Sequence, residues 1–112
     1  MIEETILNYL NGAGITAKTE APEGGVTPPC CIVERTGGRV EEHLRRATVA
    51  VQSYGDSLYD AAYLNGTVVA AMLGITVLPQ VSSCTLNSDY NFTDTTKRLY
   101  RYQAVFDLTY YE

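Results

Sequence analysis

The chain has 112 residues, enough for one domain and one core, and its 46% apolar share is ordinary for a globular protein. A net charge of -5 argues against tight general binding to phosphate backbones, and no uninterrupted apolar run reaches the roughly 20 residues a bilayer span requires, so no membrane partner is expected. Three cysteines, Cys30, Cys31 and Cys84, are an odd number with an adjacent pair and fit neither a disulfide framework nor a zinc pattern. They read as reduced, buried small residues, and the start at Met1 without a basic leader or long apolar stretch reads as that of a cytosolic product.

In chain order, Ile2 to about Asn11 places Ile2, Ile6, Leu7 and Leu10 on one helical stripe, with Glu3 and Glu4 in the first turn where the helix dipole favours acids. Gly12 and Gly14 are expected to end it. Ile15 to Glu20 reads as a short strand, and Ala21 to Pro29 concentrates proline and glycine in a connector. Cys30 to Arg35 and Leu44 to Tyr54 are dense in β-formers. Between them, Thr36 to His43 carries Gly37-Gly38 and is longer than a tight two-residue hairpin needs, which predicts an extended hairpin tip or mobile arm.

Ser57 and Asp60 have the spacing of a capping box, so a helix should run from there to about Leu73, with Gly74 as its stop. Leu58, Ala61, Ala62, Leu64, Val68, Val69, Met72 and Leu73 form its expected apolar face. Val81 to Asn87 is a further strand. From Tyr100 the residues Tyr100, Tyr102, Ala104, Phe106, Leu108 and Tyr110 alternate as one apolar face, the signature of a strand packing a core. The predicted fold is a single α+β domain over 1–112. It has one antiparallel or mixed sheet of about four strands, one long and one short helix packed on one face, and an extended β-hairpin arm.

The chemistry-bearing residues are sparse. His43 is the only histidine and sits in the polar arm; Asp56 and Asp60 are explained by helix capping; Glu41-Glu42 reads as solvated charge. No catalytic residue, metal site or cofactor is expected, and the chain reads as a non-enzyme. Seven of the eight basic residues cluster, Arg35, Arg39, Arg45 and Arg46 around the arm and Lys97, Arg98 and Arg101 before the last strand, while residues 1–34 are acidic apart from Lys18. Such separated signs suit head-to-tail pairing of identical copies. The nine tyrosines suit both a sheet core and a protein contact surface.

Three stretches taken together, Glu34-Arg35-Thr36-Gly37-Gly38 after a strand, Val49-Ala50-Val51-Gln52-Ser53-Tyr54 before a capped helix, and Asn91-Phe92-Thr93-Asp94 followed by Arg101-Tyr102 at the final strand, carry a resemblance. In that order and spacing they resemble the small tail terminator, or tail-completion, proteins of long-tailed bacteriophages and prophages, over about residues 28 to 110. The resemblance implies a virion structural subunit, assembled in the host bacterial cytoplasm into a ring, commonly a hexamer, at the head-tail junction. That ring caps the tail tube protein, joins it to the head connector proteins, and lets DNA pass without specific binding. Its oligomer interface would be Arg35, Thr36, Gly37, Gly38, Arg39, Val40, Glu41, Glu42, Arg45 and Arg46 of the arm, with Lys97, Arg98 and Arg101. The competing expectation is a cytosolic binding module for a small ligand or partner peptide.

Overall fold

The last strand, β5 (Tyr100–Tyr111), pairs along its whole length with β3 (Leu44–Gly55), from Leu44 opposite Tyr111 to Gly55 opposite Tyr100. Both strands alternate as a half-buried sheet demands. Ala47, Val49 and Val51 of β3 and Ala104, Phe106, Leu108 and Tyr110 of β5 are buried on one face. The computed structural model describes residues 1–111. Around this central pair lie β2 (Cys30–Glu41) beside β3 and β4 (Val81–Asn91) beside β5, both antiparallel, and β1 (Ala17–Lys18) parallel to β2. The result is one mixed sheet of five strands in the order β1-β2-β3-β5-β4.

The sheet has five strands where about four were expected, and the short strand expected over Ile15 to Glu20 is the two-residue β1. The Ile15–Glu20 stretch pairs so briefly because side chain and backbone share its hydrogen bonds. Asn11 accepts from the Ala17 amide at 3.1 Å and donates to the Ala17 carbonyl at 3.2 Å. Helix α1 (Ile2–Gly12) buries Ile2, Ile6 and Leu10, a stripe spaced by single turns, and runs one residue past the expected end before Gly14 turns the chain at φ 85°.

Helix α2 (Leu58–Leu73) has the expected bounds. Ser57 accepts from the Asp60 amide at 3.1 Å, so one of the otherwise orphaned first-turn donors is satisfied. Its burial is narrower than the apolar pattern suggests. Ala61, Asn65, Val68 and Met72 face the sheet, while Leu58 and Leu73 are exposed. Asn65 enters this stripe because its Nδ2 donates to Asp89 Oδ1 of β4 at 2.6 Å, anchoring helix to strand. A 3-10 turn, Ile75–Val77, leads from α2 into β4.

Both helices and the apolar connector contacts lie on the same sheet face, where α1, α2 and the inward residues of β2, β3 and β5 form the main core. Tyr9 of α1 ties the helices together, its hydroxyl donating to the Ala71 carbonyl at 2.8 Å. The opposite face holds only a small apolar cluster, Cys30, Ile32 and Tyr54 with Val26, at one end.

The Thr36–His43 stretch forms the expected extended hairpin, paired as strand almost to its tip. β2 continues to Glu41 and turns back through Glu42 and His43, so Glu41 pairs with Leu44 after all by a tight turn. β5 backs this hairpin to its tip, since Arg45 and Leu44 pair with Tyr110 and Tyr111. The arm therefore belongs to the sheet. β4 likewise runs past the expected Asn87 to Asn91, because β5 supplies partners through Tyr102.

Gly55 ends β3 where the chain passes under α2, and a Cβ there would lie 2.3 Å from the Ala61 nitrogen and 2.9 Å from its Cα. Backbone cannot yield as a side chain can, so Gly55→Ala is expected to lower the unfolding free energy by about 1–3 kcal/mol in urea titrations. An unchanged midpoint would show that this junction has slack.

Candidate assembly interface

The arm is built by a bulge. The pairing of β2 with β3 shifts register between Arg35 and Gly37, leaving Thr36 as the extra residue, and its Oγ1 donates to the Thr48 carbonyl at 3.3 Å. At Gly38 a Cβ would stand 2.6 Å from the Arg46 carbonyl oxygen, so only glycine permits the close strand approach that follows. Beyond it Glu41 holds two cations, Arg39 at 3.0 Å and Arg46 at 3.2 Å. These pairs are solvent-exposed and contribute little to stability. What they do is hold the guanidinium groups on one face of the tip. Val40, between them, is 60% exposed and projects toward the helix-bearing face, level with Arg45 and Tyr110.

The second basic group lies elsewhere. Lys97, Arg98 and Arg101 sit at the start of β5 and the arm tip lies against its end, separated by roughly 30 Å of strand at about 3.3 Å per residue. The fold thus brings Arg35 to Arg46 together and leaves Lys97 to Arg101 at the opposite end. Asp94 shapes that end: its Oδ1 accepts from the Thr96 and Lys97 amides at 3.1 and 3.2 Å, and Arg98 takes φ 53°. Lys97 and Arg98 are exposed. Arg101 is engaged within the fold, donating to the Phe92 carbonyl at 2.7 Å and the Tyr54 hydroxyl at 3.1 Å, with its guanidinium 4.5 Å from the Phe92 ring centre.

Between these ends, the sheet face away from the helices is a ladder of polar side chains. Gln52 donates to Gln103 at 3.0 Å, Thr48 and Asn87 both donate to Asp107 at 2.9 Å, and Ser83 meets Thr109. A shallow groove of about 560 Å³ opens there between Arg39 and Arg46 on one side and Ser83 and Thr85 on the other. The thiols stay protonated at neutral pH. Burial pushes Cys31 up to about 11, and burial with the nearby Asp107 carboxylate pushes Cys84 up to about 11. Among the described residues, no three His, Cys, Asp or Glu side chains are grouped to hold a metal ion.

The surface that sequence reasoning missed is the outer side of α2. Tyr59 and Tyr63 are 76% and 71% exposed and stack with ring centres 6.4 Å apart; Leu58 and Leu73 of the same helix, Val77 of the 3-10 turn and Leu86 of β4 are exposed as well. The signal for it was present in the sequence, since no charged residue occurs between Asp60 and Asp89. A surface helix normally sets charge opposite its buried stripe, and this one does not. By length and composition alone the Leu58–Val77 segment is apolar enough to cross a membrane. In this fold its Ala61–Met72 stripe is committed to the sheet.

No protein-family model matches the chain, and no curated protein matches it significantly.

Because Arg101 spends its hydrogen bonds internally, Arg101→Ala is expected to cost roughly 1–2 kcal/mol of stability. Lys97→Ala and Arg98→Ala should stay within about 0.5 kcal/mol of the parent. Thermal and urea unfolding of the three variants checks this, and equal effects would remove the distinction drawn here.

Proposed function

We propose that the chain is a non-enzymatic structural subunit of the phage tail terminator type, a protein that forms a ring at the head-tail junction, caps the tail tube and connects it to the head during morphogenesis. The observation that carries this reading is the division of its surface: an uncharged helical side with exposed Tyr59, Tyr63, Leu73 and Val77, against a charged hairpin tip with exposed Val40. Exposed apolar side chains gathered on one side of a helix commonly mark a surface that meets another molecule. A contact between two different patches of the same chain is head to tail, and such an interface closes into a ring when the rotation per copy divides the circle. The resemblance in the Glu34–Gly38, Val49–Tyr54 and Asn91–Asp94 stretches supplies the biological setting.

In this setting the partners are further copies of the chain, a tail tube protein on one side and head connector proteins on the other, and DNA passes the ring without being read. The net charge of -5 supports that last role, since a channel of the same sign as DNA does not hold it. The groove beside Arg39 and Ser83 supports the second reading, a cytosolic module holding a small ligand or peptide.

Native mass spectrometry with negative-stain microscopy separates the two: rings of about six copies are expected, and a tight monomer favours the module. The double substitution Arg45→Glu, Arg46→Glu reverses charge at the arm and is expected to abolish the ring while the far-ultraviolet circular dichroism stays that of a folded chain. Intact rings in light scattering would remove the arm from the interface.

A further inference from the structure

The sheet has two open edges. β4 is the outermost strand on one side, and on the other β1 pairs with β2 only at Cys31 and Ile32, so β2 has no strand beside it from Val33 to Glu41. An unpaired row of amides and carbonyls is a template for another strand, and proteins that stay monomeric blunt it with charge or proline. β4 carries neither from Val81 to Ser88, whereas the open stretch of β2 carries Glu34, Arg35, Arg39 and Glu41, of which Arg39 and Glu41 pair with each other. Its bulges, between Val81 and Ser83 and between Leu86 and Ser88, bend the strand, and Leu86 beside them is exposed on the helix-bearing side.

The two edges agree in height. Following the ladder across the sheet, Val33 is level with Val51, Ala104 and Asp89, and Val40 is level with Arg45, Tyr110 and Val81. The open stretch of β2 therefore spans the same tiers as Val81 to Asp89 of β4. They also agree in direction. Each step from β2 to β3, β5 and β4 is antiparallel, so β2 and β4 run oppositely. A rotation about an axis along the strands preserves direction, and it sets β2 of one copy beside β4 of the next as an antiparallel pair.

We propose that copies of this chain join by sheet extension, the Val33–Glu41 edge of one copy pairing with the Val81–Asp89 edge of the next. This deepens the ring reading and rests on it, naming the surface through which the ring closes. Backbone pairing alone buries little apolar area, whereas a specific interface covers about 800 Å² on each partner. The added strand brings side chains as well: on the helix-bearing side it carries Val40 in at the tier of Val81 and Arg35 in at the tier of the exposed Leu86.

Cross-linking reads the pairing directly. Arg39 and Ser83 share a tier through Arg46 and Thr109. Within one protomer they stand about 14 Å apart, three strand spacings of about 4.8 Å, beyond the roughly 7 Å that a disulfide bridges. The double variants Arg39→Cys with Ser83→Cys, and Arg39→Cys with Thr85→Cys for a register shifted by two, are assembled reduced and then oxidised. The expected result is a ladder of covalent multimers up to the full ring on a non-reducing gel, with none from the single variants. Rings by native mass without cross-links in either pair overturn sheet extension and leave the ring reading standing. Covalent dimers from Ser83→Cys alone mean that β4 meets β4 about a two-fold axis, which also overturns it, and a parent chain that stays monomeric defeats both readings. As an independent arm, Leu86→Lys is expected to keep the circular dichroism of the parent and to lower ring formation at least tenfold; undiminished rings overturn the proposal.

Discussion

Everything else in this molecule hangs on the unbroken antiparallel pairing of β3 with β5. It places Val49, Val51, Ala104, Phe106 and Leu108 in one buried layer, and these give both helices a surface to pack on. Hydrophobic burial is proportional to the apolar area removed from water, and a chain of this size has only one such layer to use. The pairing also reaches farther than the core does. It runs on to Tyr111 opposite Leu44, so the hairpin tip is backed by a third strand although helices do not cover it.

That overreach gives the molecule its two characters. One end of the sheet is a packed α+β core; at the other, Tyr110 and Val81 stay buried while the β2 half of the hairpin, from Glu34 to Glu41, stands largely exposed and charged. The uncharged side of α2 lies against the core end and the 3-10 turn carries Val77 toward the arm end, so the apolar and charged surfaces are set on different sides of one rigid sheet. A domain intended to remain alone in water would place charge where Tyr59, Tyr63 and Leu73 stand. These side chains and the open edges are the surfaces that the proposed ring would cover between copies.

Much of this was legible in the residues themselves. β5 was readable because one parity is continuously apolar, and a half-buried strand leaves no other period. α2 was readable from Ser57 and Gly74, whose capping roles are local. What was not legible depended on distant partners. Gly37-Gly38 and the charges around them weaken strand propensity, so the strand looked to end at Arg35 before an extended hairpin tip or mobile arm; pairing with β3, itself backed by β5, carries β2 on to Glu41. The burial of Asn65 could not be read from its own helix because its partner, Asp89, is on another element. The two basic groups were separable in the sequence, but not the distance that β5 sets between them by holding them at its opposite ends, nor the engagement of Arg101 by Tyr54 and Phe92.

Amide hydrogen exchange on the dilute and the assembled protein tests the central idea most directly, since exchange senses whether a strand edge is paired. Slowed exchange confined to Val33–Glu41 and Val81–Asp89 on assembly, with β3 and β5 protected in both states, is the predicted result. Slowing that spares both edges, or that appears first around Lys97 and Arg98, would contradict the account.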